Sequence, residues 1–495
     1  ASCRRSGCAR GPTTAPASGT ITATHATVGS DDTGTISVIV GNAHHIKVLN
    51  STGGNTSEVT TVGLTAGDKL TVHAGSFDSD DNYINDITVS WGLSGNIGTL
   101  SATLSIATEL TATTPGSGQI FADDAGPLLG DATGVITVNA GSVASIKIVE
   151  GISGDGPELT TGNLTADDIL FVHAAGYDAQ GNYVGDQSVT WSSSGTLAPA
   201  ISATGTSIAF NPSTAPASGI ITATHATAGS DDTGTISVGT GAPHHVKVLN
   251  GTSGNTSEVT TVGLVTGNTL NVHAGAFDAD DNYIDDVTVD WNLSGGIGNL
   301  FPANGISTTL TATTAGTGQI TADHPTLFDD ASGTITVNAG TLAFVLIVEG
   351  SSGDGTEVTT KTLSADQTLT VHAAGYDING NYIGDQNVTW SSTGSLAPPV
   401  NATGPTFTFN PTTAPASGTL SADHATATDD ATGTITITVG AENRVKILSG
   451  PSGNTSEVTT AGLTTSGTLT VHAASFDADG NYVQDVSVNW SVTGG

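Results

Sequence analysis

Residues 72–91 read VHAGSFDSDDNYINDITVSW, and nearly the same phrase returns four times. It is VHAAGYDAQGNYVGDQSVTW at 172–191, VHAGAFDADDNYIDDVTVDW at 272–291, VHAAGYDINGNYIGDQNVTW at 371–390 and VHAASFDADGNYVQDVSVNW at 471–490. The five tryptophans that close the phrase, Trp91, Trp191, Trp291, Trp390 and Trp490, are spaced by 100, 100, 99 and 100 residues. Self-similarity at a fixed period marks an array of small repeated domains. Inside the phrase, apolar residues alternate. Leu70, Val72 and Ala74 share one strand face, with Thr71 and His73 on the other. Ile87, Val89 and Trp91 share a face opposite Asp86, Thr88 and Ser90. Period-2 strands separated by Gly, Asn, Asp and Ser clusters predict antiparallel sandwiches with one wet face. About seven strands per repeat is the immunoglobulin-like count.

A second period overlies the first. Copies one, three and five share SGNTSEVTT or its near-twin and a Phe before the Asp, whereas copies two and four share VEG, SGDG and AAGYD. The duplicated unit is read as a pair of domains.

The composition agrees with a β array and excludes several functions. Of 495 residues, 65 are Gly and none is Met. Ten Lys plus Arg stand against 45 Asp plus Glu, a net charge of −35. Such a chain lacks the basic footprint that nucleic acid or an anionic membrane requires. No apolar run reaches the length of a membrane helix. Cys3 and Cys8 are the only cysteines, so no disulfide scaffold holds the body of the chain. There is no nucleophile elbow, HExxH helix or phosphate loop. The chain is therefore expected not to be an enzyme.

The phrase VTWSSSGTLAP at 189–199, followed by ASGIITATHAT at 217–227, resembles the bacterial Ig-like domains of invasin- and intimin-type surface proteins. So does the Asp-x-x-Gly-Asn turn of Asp178–Asn182, and the Val-x-Val-x-Trp strand of Val287, Val289 and Trp291. The resemblance runs from about residue 12 onward. It implies an extracellular, cell-surface, elongated rod of tandem Ig-like β-sandwiches used in adhesion or surface architecture.

Short connections such as TISVIVGNAHHIKVLN place complete domains at 43–141, 142–241, 242–340 and 341–440. Residues 12–42 match only the C-terminal half of a domain, and 441–495 only the N-terminal half. Half-sandwiches expose apolar faces and unpaired edges. Either a longer covalent array is implied, or the tail of one subunit is completed by the head of the next. Residues 1–11, ASCRRSGCARG, break the pattern.

The candidate site is the acidic loop of the phrase. It presents Asp78, Asp80, Asn82 and Asp86, then Asp178, Asn182 and Asp186. The third copy offers Asp278, Asp280, Asn282 and Asp286, the fourth Asp377, Asn381 and Asp385, the fifth Asp477, Asp479, Asn481 and Asp485. Oxygen donors at positions 1, 3, 5 and 9 suit Ca2+. The same residue types are what tight turns need without any ion. A second acidic cluster precedes each closing strand: Asp31 and Asp32, Asp231 and Asp232, Asp329 and Asp330, Asp429 and Asp430, varied in the first copy as Asp123, Asp124 and Asp131. The His of each phrase is read as facing outward or sideways, a surface or cross-strand residue. The loop tyrosines admit a sugar-stacking role, but Trp shares the parity of Ile and Val and reads as core. Asn50, Asn55, Asn163 and Asn454 head glycosylation sequons.

The reading is a structural repeat protein of a surface fibre or adhesin stalk, self-assembling head to tail and stiffened by calcium. The alternatives are an adhesin whose domains bind a glycan or host protein, and an accessory region of a secreted carbohydrate-active enzyme.

Overall fold

The computed structural model describes residues 13–350 and 355–494, and the atypical segment 1–11 lies outside them. Every regular element among the described residues is a strand. The chain divides into two compact units, one up to Ala242 and one from Pro243 onward.

In the first unit, the sandwich of the first full repeat shows the common plan. Lys69–Phe77 is its central strand. It pairs with His45–Asn50 on one side, with Ala107–Ala112 on the other, and with Tyr83–Asp86 beyond a bulge at Ser76/Phe77. Facing it, Val89–Leu93 lies between Leu104–Ser105 and Ile120–Asp123. Gly116–Gly118 and Val62–Thr65 flank the closing strand Ile136–Asn139. The expected antiparallel pairing holds except here: Val62–Thr65 and Ile136–Asn139 run parallel. The second unit carries the same pairing between Thr261–Val265 and Thr334–Asn338, and between Lys361–Ser364 and Ile435–Thr438.

Alternation decides what is buried. Val72, Ala74, Val89, Ala122 and Ile136 meet in one cluster around Trp91. Three further clusters gather around Trp191, Trp291 and Trp390, each drawn from one sequence repeat. The four indoles are at most 5% exposed. Each donates its Nε1–H to a backbone carbonyl, of Ser105, Gly205, Gly305 and Gly404, at 3.0–3.1 Å. A buried indole N–H thus finds its acceptor inside the core.

The half-repeats lack that core. In the first unit, Ala17–Gly19 pairs with Ile36–Val38, and Thr22–His25 with Gly29–Asp32. Ile21 and Ile36 are exposed there, although their counterparts Ile221 and Ile236 are fully buried. In the second unit, Arg444–Ser449, Val471–Phe476 and Tyr482–Asp485 form one small sheet. Trp490 is 54% exposed. The same residue type in the same phrase is core or surface according to which strands cover it.

Candidate functional site

The first Asp of each acidic loop turns inward. Asp78, Asp178, Asp278, Asp377 and Asp477 are all buried. In the first copy, Asp78 Oδ1 accepts the backbone N–H of Asp80 at 3.0 Å and of Asn82 at 2.9 Å. Its Oδ2 accepts the N–H of Gly41 at 2.8 Å. Asn82 Nδ2 donates to both carboxylate oxygens. The loop is a closed turn whose anion is met by N–H dipoles. The Gly41 N–H, and after it the Asn82 N–H, hold the Asp78 carboxyl well below the usual carboxylate range. Burial pushes Asp377 upward, yet the Thr266 hydroxyl and the Gly340 and Asn381 donors outweigh it, and its carboxyl also lies well below that range.

Gly41 belongs to the connection leading into the sandwich. So do Gly141, Gly340 and Gly440, which donate to Asp178, Asp377 and Asp477 at 2.8, 2.8 and 3.0 Å. The Asn at position 5 then reaches the preceding domain. Asn182 Nδ2 donates to Thr113 O at 2.8 Å and Asn381 Nδ2 to Thr313 O at 2.9 Å. In return, Asn82, Asn381 and Asn481 accept through Oδ1 the N–H groups of Ala15, Ala315 and Ala414 at 2.8–2.9 Å. Asp and Asn together make a polar clamp between consecutive domains. The third copy has the same internal bonds, from Asp280 N, Asn282 N and Asn282 Nδ2 to Asp278. A Cβ at Gly340 would come within 2.9 Å of Thr266 Oγ1, whose hydroxyl donates to Asp377 Oδ2.

The remaining positions of the expected calcium set point elsewhere. Asp80, Asp280 and Asp479 are exposed. Asp86, at position 9, serves a second network. It accepts the Gly54 N–H at 2.8 Å and the Tyr83 hydroxyl at 2.8 Å, and lies 3.5 Å from His73 Nε2. Asp186, Asp286, Asp385 and Asp485 each accept the hydroxyl of the Tyr three residues before them. Asp81 and Asp281 pair with Lys47 and Lys247 at 3.1 and 2.9 Å. Among the described residues, no three His, Cys, Asp or Glu side chains converge on one point. A donor set for calcium needs free oxygens aimed inward together. Here the inward oxygens already accept N–H groups, so the residues do not fit the ion.

The second acidic cluster is also spent on backbone. Asp131, Asp231, Asp330 and Asp430 accept the N–H of Val48, Ile148, Val248 and Ile347 at 2.6–2.8 Å. Each one staples the strand before the closing one to the first strand of its own sandwich.

Of the two placements expected for the phrase His, outward or sideways, the outward one does not hold. His73, His173 and His273 are fully buried, because the loop after the first strand folds over them. Their Nε2 atoms meet Gly54 O, Gly154 O and Gly254 O at 2.7–2.8 Å. His372 instead bonds Asp385 through Nδ1 at 2.8 Å. His44 and His45 stack edge to face, with His45 Nε2 2.9 Å from Asp81. The connection glycines were the functional residues that sequence reasoning passed over. A signal existed, since each stands 37 residues before its Asp.

No protein-family model and no curated protein matches the sequence. Solved structures do. The Escherichia coli adhesin FdeC is similar at 15% identity over 61% of this chain and 100% of that one, with a TM-score of 0.29. Protocadherin Gamma B7 extracellular cadherin domains 1–4 are similar at 12% identity over 71% and 92%, with a TM-score of 0.30. Protocadherin Gamma B2 extracellular cadherin domains 1–5 are similar at 12% identity over 86% and 87%, with a TM-score of 0.27.

Proposed function

We propose that the chain is a load-bearing segment of an extracellular fibre or adhesin stalk. The observation that carries the load-bearing part is the parallel pair in each sandwich. Tension enters a domain at its first strands and leaves after its last. Parallel neighbours pulled from opposite chain ends slide along each other, so all the ladder bonds between them are loaded at once. An antiparallel pair pulled from one end would instead open bond by bond. Val62–Thr65 with Ile136–Asn139 has the first geometry. The Asp–Asn clamp supports the same role, because its hydrogen bonds tie a connection to the domains on both sides. The dearth of basic residues and the acidic surface suit an exposed, soluble array.

Pulling single molecules by their ends tests this. Four similar unfolding events are expected, each releasing a repeat of about 100 residues, or roughly 340 Å of chain. Unfolding at forces no higher than those of domains closed by antiparallel terminal strands would remove the mechanical reading. Antibody labelling of intact cells tests the location.

A further inference from the structure

The chain has 13 histidines, and two adjacent pairs of them stand apart from the rest. Alternation sends neighbouring strand residues to opposite faces. His44 and His45 escape it, because the strand His45–Asn50 starts at the second of them and His44 belongs to the connection before it. Their Nδ1 atoms lie 3.4 Å apart. In the second unit, His244 likewise precedes the strand His245–Asn250, and the two Nδ1 atoms lie 3.3 Å apart.

The second His of each pair is fixed on two sides. His45 stands opposite Phe77 in the ladder and stacks on its ring, as His245 does on Phe277. His45 Nε2 lies 2.9 Å from Asp81 Oδ1, and His245 Nε2 lies 2.9 Å from Asp281 Oδ1. Lys47 and Lys247 brace the same carboxylate oxygens. A carboxylate only accepts, so Nε2 carries the proton and the neutral ring keeps its lone pair on Nδ1. That lone pair faces the neighbouring imidazole. Metal-binding histidines are arranged in this way, with the far N–H given to a carboxylate that fixes the tautomer and raises the basicity of the ligating nitrogen.

The separation selects the ion. Two nitrogens 2.0–2.1 Å from a tetrahedral Zn2+ lie about 3.3–3.4 Å from each other. A right-angled pair on square-planar Cu2+ or Ni2+ would stand closer, at about 2.8 Å. Ca2+ and Mg2+ take oxygen donors instead. We propose that His44 with His45, and His244 with His245, each bind Zn2+ through their two Nδ1 atoms, with Asp81 and Asp281 as positioning residues and water in the other two places. The ion replaces the proton that the two nitrogens share. His44 and His244 are exposed, so their rings can tilt until both lone pairs meet on one ion.

The other histidines offer no such pair. His73, His173 and His273 meet backbone carbonyls. His225, His324 and His424 spend Nδ1 on the N–H groups of Ala228, Leu327 and Ala427. Where copies one and three have the pair, copies two and four have Ala144–Ser145 and Ala343–Phe344. The pattern therefore gives two ions per chain.

The test titrates Zn2+ into the full chain by calorimetry. Cys3→Ser and Cys8→Ser remove the thiols, and excess Mg2+ occupies the exposed carboxylates. Two equivalents are expected, one with His44→Ala and none with His44→Ala plus His244→Ala. Asp81→Ala plus Asp281→Ala should keep two equivalents and weaken them about 10–100-fold; equal affinity would overturn the positioning role. Zn2+ uptake that persists in the double His variant, or its absence in the unaltered ring pairs, would overturn the site. Nitrogen NMR of the His-bearing chain gives an answer without substitution at the pairs. The Nδ1 resonances of His45 and His245 should move on adding Zn2+ while Nε2 keeps its proton, and a shift confined to Nε2 would sink the assignment.

Discussion

Replacing Asn381 by Ala removes the clamp's bonds to the preceding domain, together with the two bonds that its Nδ2 donates to Asp377 within its own loop. The side chain makes two bonds to the preceding domain, Nδ2 to Thr313 O at 2.9 Å and Oδ1 from Ala315 N at 2.8 Å. A net contribution near 1 kcal/mol for each puts the cross-junction loss at about 2 kcal/mol. Since ~1.4 kcal/mol is a factor of ten, the Ala315 amide is expected to exchange with deuterium roughly 30-fold faster. The Gly340 amide keeps its acceptor, Asp377 Oδ2, and should change far less. Ladder amides of Leu369–Tyr376 belong to the core of the fourth sandwich and should not change. Exchange resolved to single amides, with and without the substitution, reads all three. Unchanged exchange at Ala315 would refute the clamp. A uniform rise that includes Leu369–Tyr376 would show that Asn381 holds its own domain rather than the junction.

Three further outcomes are expected. Trp390→Ala should cost its sandwich about 3–5 kcal/mol, the usual toll for emptying a buried aromatic site, whereas Trp490→Ala should leave chemical denaturation of the free chain unaltered; equal losses would mean that the tail has a core of its own. Calcium at millimolar concentration should shift the melting temperature no more than magnesium at equal ionic strength, and a calcium-specific rise would restore the cation reading. His472 lies with Nδ1 2.9 Å from Gly450 O and Nε2 2.8 Å from Gly453 O, and since carbonyls only accept, this pair favours the doubly protonated ring. The Gly450 carbonyl foremost, with Gly453 and Asp485, raises its pKa above 6.5. Its stabilising effect is therefore complete below pH 6.5 and fades as pH climbs through the folded value. Limited proteolysis of the loop at 450–456 should quicken from pH 6 to pH 9, and His472→Gln should abolish that dependence; equal rates at both pH values would sink the assignment.

The sandwich, its core tryptophan and its repeat period were legible because each follows from one strand's own alternation. Val72, Val89 and Trp91 needed no knowledge of their neighbours. The parallel closing pair was not legible, since alternation assigns a face and says nothing of which strand lies alongside. His73 was misplaced for a related reason: parity put it opposite Val72 and Ala74, but a loop from another part of the repeat roofs that side. The acidic loop was found by spacing, and its residue types were compatible with both a turn and an ion. What separated the two was the Gly41 N–H, which comes from the preceding connection. The interval of 37 residues would have pointed there, had glycines been aligned as carefully as acids.

The parallel pairing of Val62–Thr65 with Ile136–Asn139 also governs how the polypeptide comes into being. A strand made early must wait for most of a repeat to be synthesised before its partner exists. During that wait a nascent half-domain is open to any closing strand of similar sequence, and inter-domain misassembly is a characteristic failure of repeat proteins. The two-domain period lessens the hazard. Immediate neighbours differ at the bulge and in the loop over the histidine, Ser76 and Phe77 against Gly176 and Tyr177, while the near-identical copies stand two repeats apart. Alternation of two domain types thus keeps the strand most able to intrude at the greatest distance along the growing chain.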